Sequence, residues 1–402
     1  MIVLLSIIGL ISNGVLMRKV AAIGIGQTIV SEQWDKSLKE LAGDAILNAL
    51  IDADIRVFDS LFIGNMMSAS ANQQQNIGAY IADWVGARGA EGIRLESACS
   101  SGSAAFRAAV LAVASSQVDV AVAAAVEKMT DSPGVEVTAN LATAADADWE
   151  VSQGVSFIAL NALLMQRYIY EYKWGHSNFA GFSINAHKNA ITNPNARFHS
   201  ELSQEQFDQS PIICDPISLM DASPIGDGAA AVVLVPFDLV RTGHKHKTIN
   251  VVASAAASDT IAVHSRKDPL WLSAAERSVK DAYNQAGISV NDIDLFEYHD
   301  AFTIMAALSL EACGFARRGK APLLALEGQI GLDGKIPVAT MGGLKGRGHP
   351  VGATGMYQIV EVIQQLRQEA GENQVAGAIH GMTQNIGGSG SNIITHIFNN
   401  GD

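Results

Sequence analysis

The second half of this chain repeats the pattern of the first half, and this duplication constrains the fold more than any other feature. Three pairs of segments carry the repeat in the same order: residues 37–62 with 274–298, 99–102 with 349–352, and 126–130 with 379–383. Strand patterns alternate with helix patterns in each half, which predicts two α/β halves of similar topology. Open α/β sheets bind ligands at strand ends, so facing halves would bring Cys99 and His349 together.

The length and composition indicate a globular protein with a large core. The 402 residues are enough for one large or two medium domains, and 48% of them are hydrophobic while 17% are charged. We predict an N-terminal half over residues 17–247 and a C-terminal half over residues 248–402. Residues from about 131 to 220 carry scattered Asn, His, Ser and Pro with weak periodicity, so we predict an inserted loop subdomain there.

The charge and the cysteines exclude several kinds of partner. The net charge of −13 argues against a nucleic acid, although Lys345 and Arg347 are candidates for contacting the phosphates of a small ligand. Cys99, Cys214 and Cys313 are widely spaced and form no CxxC pair. This pattern is neither a disulfide framework nor a zinc signature, which indicates a cytoplasmic protein with no metal site.

The first 16 residues are apolar and precede the first predicted strand. They are too short to span a bilayer and lack the basic residues that begin a signal peptide. Met17 begins a sequence typical of a first strand, so we interpret residues 1–16 as an upstream extension, with a membrane-associating tail as the alternative. The rest of the sequence suggests no membrane span.

Cys99 is the candidate nucleophile. The sequence Glu96-Ser-Ala-Cys-Ser-Ser-Gly places it in the first turn of a helix rich in small residues. Unpaired backbone N–H groups and the positive end of the helix dipole favour a thiolate at this place, and the thiolate is the reactive form of cysteine. The alternative is an inert buried cysteine, which is how we interpret Cys214 and Cys313.

Six motifs in a fixed order give the chain its resemblance to a known family. They are residues 97–102 (Ser-Ala-Cys-Ser-Ser-Gly), 185–198 (Asn-Ala-His-Lys-Asn-Ala-Ile-Thr-Asn-Pro-Asn-Ala-Arg-Phe), 224–231 (Pro-Ile-Gly-Asp-Gly-Ala-Ala-Ala), 298–302 (Tyr-His-Asp-Ala-Phe), 348–355 (Gly-His-Pro-Val-Gly-Ala-Thr-Gly) and 385–388 (Asn-Ile-Gly-Gly). With these motifs, residues 17–398 resemble the thiolase superfamily, and SCP2-type thiolases in particular. The resemblance implies an α/β fold of five layers, an α-β-α-β-α sandwich of two duplicated halves rich in βαβ units, with the loop subdomain over the active site.

The resemblance also implies an acyl-CoA acyltransferase that forms or cleaves acetoacetyl-CoA or another 3-ketoacyl-CoA. Cys99 matches the nucleophile that carries the acyl group, and His349 matches the residue that takes its proton. His299 matches the donor that binds one oxyanion together with His349. The backbone N–H groups of Cys99 and Gly387 match a second oxyanion hole. The substrates are coenzyme A thioesters, and no permanently bound cofactor is implied.

The chain departs from the family pattern at the base for the α-carbon. Thiolases usually carry a second catalytic cysteine for this proton transfer, and its two candidate positions hold Asn385 and Ala301 here. Neither side chain can accept the proton, so His349, His299, an ordered water or a partner subunit would have to replace it. A thiolase-like retro-aldol lyase and a non-catalytic or partner-dependent acyl-CoA-binding subunit therefore stay open as alternatives. Such lyases tend to lose the nucleophilic cysteine, and Cys99 argues against that reading.

The resemblance carries expectations about assembly as well. Thiolases are at least dimers, so a homodimer or homotetramer is expected. Relatives of this type are found with a small OB-fold, zinc-ribbon partner, and some assemble with HMG-CoA synthase.

Overall fold

The structure is a computed structural model that describes residues 17–401, so the extension predicted for residues 1–16 lies outside the described residues. Its strands are β1 (Val20–Gln27), β2 (Ser60–Gly64), β3 (Glu91–Leu95), β4 (Ala121–Glu127), β5 (Ile212–Cys214), β6 (Ile217–Ser218), β7 (Gly228–Pro236), β8 (Ile249–Ser258), β9 (Leu295–Glu297), β10 (His380–Gly387) and β11 (Asn392–Asn399). Its α-helices are α1 (Leu38–Asp52), α2 (Ser68–Ala71), α3 (Ile77–Trp84), α4 (Ser101–Ala114), α5 (Gly134–Ala142), α6 (Phe157–Tyr172), α7 (Ala180–Ala190), α8 (Gln204–Asp208), α9 (Ser273–Ala286), α10 (Thr303–Ala312), α11 (Ala321–Leu326) and α12 (Thr354–Arg367).

The large sheet joins two half-sheets of matching strand order. The order is β3-β2-β4-β7-β1 in the first half and continues as β8-β11-β10-β9 in the second, with β1 and β8 paired at the junction. Val338 pairs in parallel with Phe296 of β9, at the place that β3 occupies beside β2. The predicted duplication is therefore confirmed, because β8, β9, β10 and β11 are the counterparts of β1, β2, β4 and β7.

One of the three predicted segment pairs is wrong in register. Residues 126–130 lie at the carboxyl end of β4 and beyond it, whereas residues 379–383 lie at the beginning of β10. The two strands are counterparts, but their matching carboxyl ends are Glu127 and Gly387. A five-residue similarity is too short to set the register of a strand.

Each half-sheet lies between two layers of helices. Alternate residues of β7 point to opposite sides, as the side chains of a strand must. Ala229 and Val233 pack with α1. Ala230 and Val232 pack with α4 and α12, which contact each other between the two half-sheets. Because α9 covers β8 and β11 on the outer face of the second half-sheet, the predicted five layers are confirmed.

Residues 131–220, predicted as an inserted loop subdomain, contribute no strand to the large sheet. They contain α5 to α8 and the small pair of strands β5 and β6. The helix α6 begins after Ser156, whose Oγ accepts a hydrogen bond from the N–H of Ala159 at 3.2 Å, and it packs against α10. Within residues 17–401, no helix combines the length and the apolar character needed to cross a bilayer.

Candidate active site

Cys99 lies in a tight turn between β3 and α4. Ala98 has a φ of 49°, a left-handed conformation that is uncommon for a residue with a side chain. The Oγ of Ser101 holds the turn, because it accepts a hydrogen bond from the N–H of Ser97 at 2.9 Å and donates one to the carbonyl of Ala98 at 2.6 Å. The Cys99 side chain is half-buried in this turn and lines a cavity.

His349 precedes α12 as Cys99 precedes α4. Its Nδ1 lies 2.6 Å from the Oγ1 of Thr354. The Oγ1 of Thr354 also lies 3.1 Å from the carbonyl of Pro350, which can only accept. When the hydroxyl donates to that carbonyl, the Nδ1 of His349 carries the proton of the neutral ring and donates to Thr354, and a lone pair is left on Nε2.

His299 follows β9 and lies beside His349. The two ring centroids are 5.3 Å apart, and the ring planes meet at 84°. The Nδ1 of His299 lies 3.0 Å from the amide Nδ2 of Asn385, which is on β10. Both rings and the amide are buried, so these contacts are shielded from water.

The structure brings together the three side chains that the sequence analysis singled out. One donor atom each from Cys99, His299 and His349 lie within 4.8 Å of one another. They line a cavity of about 160 Å³. The other walls of this cavity are mainly apolar, and include Met66, Leu141, Phe157, Ile158, Phe302 and Met305.

Asp300 ties the loops of the two histidines together. Residues Gly343–Arg347 form a π-helical turn just before His349, and the N–H of Leu344 donates to the Oδ1 of Asp300 at 2.8 Å. Gly343 has a φ of 54°, and a Cβ there would lie 2.7 Å from the Oδ2 of Asp300, so the turn requires glycine. Asp300 follows His299 directly in the chain, and its bond to the turn therefore helps to place one ring against the other.

Lys345 and Arg347, the candidates for contacting phosphates, point into the protein instead. Each is at most 1% exposed. The Nε of Arg347 lies 2.6 Å from the Oε1 of Glu361, and the Nζ of Lys345 donates to the backbone carbonyl of Asp221. The prediction is wrong because the turn before His349 folds inward and carries both charges with it.

Burial keeps the three reacting groups uncharged. Loss of hydration, together with the nearby Glu127 carboxylate, raises the pKa of the Cys99 thiol to about 12. Burial lowers the pKa of His299 to about 3 and holds the pKa of His349 well below its usual range. The sequence analysis expected a thiolate, but desolvation outweighs the helix N-terminus here. The resting site holds a thiol and two neutral imidazoles, so the thiol needs a base.

Glu127 is a residue of the site that the sequence analysis did not single out. Its buried carboxylate accepts hydrogen bonds from the N–H groups of Met66 and Met67 at 3.0 Å each, and from Gly352 at 2.9 Å. Met66 lines the cavity and Gly352 belongs to the His349 turn, so one carboxylate holds both. Burial raises the pKa of Glu127 to about 7. The sequence feature that could have identified Glu127 is its position at the end of an apolar strand, where α/β folds form their sites.

The remaining predicted positions surround the same cavity. Ala301 lines it, and Asn385 is fully buried behind His299. Gly387 is the last residue of β10, and the next residue, Gly388, lines the cavity together with Cys99. The oxyanion role of the Gly387 N–H stays a prediction.

The same three donors suit a transition metal. Zinc accepts one cysteine and two histidines, with water in the fourth position. The Cys99 thiol holds its proton strongly, so a metal ion would have to displace that proton before it could bind.

Comparison with known proteins places these motifs in a family. The family model described as "Thiolase, N-terminal domain" matches residues 15–238, and the model described as "Thiolase C-terminal domain-like" matches residues 255–400. An acetyl-CoA acetyltransferase of Methanothermobacter thermautotrophicus is 43% identical over 384 residues, which cover 95% of this chain and 100% of that protein. Sterol carrier protein 2 of Bos taurus is 28% identical, over 96% of this chain and 73% of that protein.

The fold has a close match among solved structures. A structure described as "Ltp2-ChsH2(DUF35) aldolase" matches with a TM-score of 0.83 and 23% identity, over 95% of this chain and 98% of that chain, which is a likeness of fold alone. The two family models together span both halves of this chain, with their active-site turns, and a relative is 43% identical over nearly its full length. The chain belongs to the thiolase family.

Proposed function

We propose that this chain is an acetyl-CoA C-acyltransferase that forms or cleaves acetoacetyl-CoA or another 3-ketoacyl-CoA through a thioester on Cys99. The observation that carries the proposal is the convergence of the Cys99 sulfur with the rings of His299 and His349 in one apolar cavity. The acetyl-CoA acetyltransferase of Methanothermobacter thermautotrophicus, at 43% identity, supports acetyl-CoA as the acyl donor.

Acyl transfer begins with a proton transfer from Cys99 to His349. The lone pair on Nε2 of His349 takes the thiol proton, and the sulfur attacks the carbonyl carbon of the acyl-CoA thioester. The bond from that carbon to the sulfur of CoA then breaks, and the leaving sulfur takes the proton from His349. The products are free CoA, an acyl group on Cys99 and a neutral imidazole.

Two sets of hydrogen-bond donors serve the developing oxyanions. The backbone of Cys99 and the turn at Gly387 and Gly388 lie at the wall of the cavity, which supports a role for their N–H groups at the tetrahedral centre on the acylated sulfur. The ring of His299 serves the thioester oxygen of the second acyl-CoA, and His349 can join it as a donor only after its Nε2 has taken a proton. Each such donor contributes about 10²–10³ to the rate.

The site needs no permanently bound cofactor for this chemistry. The nucleophile, the base and the oxyanion donors all come from the chain, and coenzyme A arrives as part of the substrate. The apolar walls of the cavity favour a hydrocarbon acyl chain over a charged acyl group.

We also propose that the chain forms a homodimer, on which a homotetramer could be built. The strand β3 is at the end of the large sheet, and its residues are half-buried or exposed. An edge strand presents N–H and C=O groups that can pair with a second copy. Ile93 in this strand is 41% exposed and would gain burial in such a dimer.

Three further expectations remain proposals. The aldolase of similar fold is named together with ChsH2(DUF35), which supports a partner protein for this chain. That the partner is a small OB-fold, zinc-ribbon protein, and that an HMG-CoA synthase assembles with the chain, rests on the family resemblance alone. The three free cysteines support a cytoplasmic protein. The segment between β7 and β8 supports a division into residues 17–247 and 248–402.

The experiment that tests the proposed function is acylation of Cys99. We expect acetyl-CoA to add the mass of one acetyl group to a peptide that contains Cys99, and thiolysis of acetoacetyl-CoA to vanish in a Cys99→Ala variant. A Cys214→Ala variant is the matched control and should keep both the acetyl adduct on Cys99 and the thiolysis activity. If the adduct is missing and Cys99→Ala keeps full activity, the mechanism is wrong.

A substrate panel separates the thiolase from its alternatives. A retro-aldol lyase would cleave 3-hydroxyacyl-CoA without an acyl adduct. A partner-dependent subunit would show thiolysis only in the presence of a co-purified protein. We expect the purified chain alone to cleave 3-ketoacyl-CoA.

A further inference from the structure

The α-carbon of the second acyl-CoA must lose a proton, and Asn385 stands where the family's usual cysteine base would be. Asn385 is fully buried, and its amide Nδ2 lies 3.0 Å from the Nδ1 of His299. A Cβ on Gly355 would lie 2.2 Å from its Oδ1 and 2.4 Å from the Oγ of Ser103, and neither oxygen has a hydrogen-bond partner among the described residues. The contact with His299 is therefore the hydrogen bond that the Asn385 side chain makes among the described residues, and it is made through the amide nitrogen.

This arrangement determines which nitrogen of His299 carries the proton. An amide nitrogen can only donate, so the Nδ1 of His299 accepts and Nε2 carries the hydrogen of the neutral ring. His349 has the opposite tautomer, because its Nδ1 donates to Thr354 and its Nε2 keeps a lone pair. The two adjacent rings thus differ in function: one presents a hydrogen-bond donor and the other presents a proton acceptor.

The other polar groups that line the cavity offer no base. Apart from Cys99 and the two histidines, the lining side chains are apolar or, at Asn161 and Ser223, uncharged amide and hydroxyl groups. The Glu127 carboxylate does not line the cavity and already accepts hydrogen bonds from three backbone N–H groups. Among the described residues that line the cavity, the lone pair in position to act as a base is the one on Nε2 of His349.

We propose that Asn385 is a positioning residue that fixes His299 as a donor, so that His349 alone accepts both protons of the reaction. This inference rests on the proposed function. In the first half-reaction His349 takes the thiol proton of Cys99 and returns it to the leaving sulfur of CoA. Its lone pair is then free again when the second acyl-CoA arrives.

The second half-reaction balances with the same single base. The C–H bond at the α-carbon of the second acyl-CoA breaks, its proton moves to Nε2 of His349, and the electron pair forms a bond to the carbonyl carbon on Cys99. The bond from that carbon to the Cys99 sulfur breaks, and the sulfur takes the proton from His349. The Nε2–H of His299 donates to the thioester oxygen while the α-carbon carries negative charge.

The test isolates the second proton transfer from acylation. A Cys99→Ala variant cannot form the acyl-enzyme, but it keeps both histidines, and exchange of the acetyl-CoA methyl protons with deuterium oxide is followed by mass spectrometry. We expect exchange in Cys99→Ala, its loss in Cys99→Ala with His349→Asn, and a decrease of about 100-fold or more in Cys99→Ala with Asn385→Asp. The carboxylate of Asn385→Asp would accept the Nδ1 hydrogen of His299 and leave its Nε2 without a proton.

Two readouts separate a positioning role from a structural one. Nitrogen-15 NMR of labelled histidine should show His299 protonated at Nε2 in the parent and at Nδ1 in Asn385→Asp. With Cys99 present, Asn385→Asp should slow the condensation to acetoacetyl-CoA far more than it slows the exchange of labelled CoA into acetyl-CoA, because that exchange needs only acylation.

Three outcomes would overturn the proposal. They are unchanged exchange after His349→Asn, no exchange at all in Cys99→Ala while the wild type makes acetoacetyl-CoA, or a His299 tautomer that Asn385→Asp does not alter. Each of these results is compatible with an acetyl adduct on Cys99, so the proposed function would survive them.

Discussion

Gly102 and Gly352, which are equivalent positions in the two halves, lie in contact: a Cβ on Gly102 would be 3.0 Å from the carbonyl oxygen of Gly352. This approach brings the first turn of α4 against the turn that leads into α12. Cys99 is three residues before one glycine and His349 is three residues before the other. The close contact therefore helps to place the sulfur beside the imidazole.

A methyl group at this contact should separate the nucleophile from its base. In Gly102→Ala the new Cβ would also lie 2.9 Å from the backbone nitrogen of Met356, so the helices must shift. We expect a loss of stability of about 1–3 kcal/mol and a decrease in kcat of about 100-fold, because small misplacements of reacting groups are costly. Urea unfolding measures the loss of stability, and thiolysis kinetics measure the decrease in kcat. Gly134→Ala is the control, since a Cβ there meets nothing within 4 Å, and an equal effect in both variants would contradict the argument.

The thiol of Cys99 should be slow to alkylate despite its place before a helix. Its pKa is raised to about 12, so the thiolate fraction at neutral pH is far below that of an ordinary thiol with a pKa of about 8.5. We expect iodoacetamide to react with Cys99 more than about tenfold more slowly than with glutathione. A thiolate of higher pKa is more nucleophilic, but this offsets only part of the loss in thiolate fraction. The rate should rise with pH up to about 10, below the Cys99 pKa. A plateau between pH 7 and 8 would show an activated thiolate instead.

The hydroxyl of Thr354 should be needed for the base. Thr354→Val keeps the shape of the side chain but removes the acceptor for the Nδ1–H of His349. We expect kcat to fall by about 100-fold, a typical contribution of a general base, with a smaller change in KM. Thr354→Ser retains the oxygen and should recover most of the activity. Equal kinetics for the valine and serine variants would remove Thr354 from the mechanism.

The carboxylate of Glu127 should stabilise the fold as well as the site. In Glu127→Gln, an amide NH₂ would face backbone N–H groups that now donate to carboxylate oxygens. We expect a loss of about 1–3 kcal/mol for an unsatisfied buried donor, seen as a lower urea midpoint, together with lower activity. Glu136→Gln on the exposed face of α5 is the control and should change stability by less than about 0.5 kcal/mol. A stable, fully active Glu127→Gln would contradict this role.

The sequence could predict that Cys99 and His349 lie close together, because equivalent loops of a duplicated α/β chain lie at the same edge of the fold. The step from Cys99 to Gly102, repeated from His349 to Gly352, carried that information. It could not predict the protonation states. The raised pKa of Cys99 depends on how completely the folded chain removes water from the sulfur, and helix position alone gave the opposite sign.

The sequence also could not show what Asn385 does. From the family resemblance, an asparagine at position 385 indicates only that an expected cysteine base is missing. Its contact with His299 depends on the register between β10 and β9. The inward course of Lys345 and Arg347 has the same origin, since the glycines around them permit a buried turn that no periodicity predicts.

The proposed nucleophile and the proposed base belong to different halves of the chain, so activity should depend on how the two halves pack against each other. The two groups stay within reach only while α4 and α12 remain packed together. Low concentrations of urea that loosen this central layer should abolish thiolysis before circular dichroism records any loss of helix. Coincident loss of both signals would instead show that the halves cannot part without unfolding.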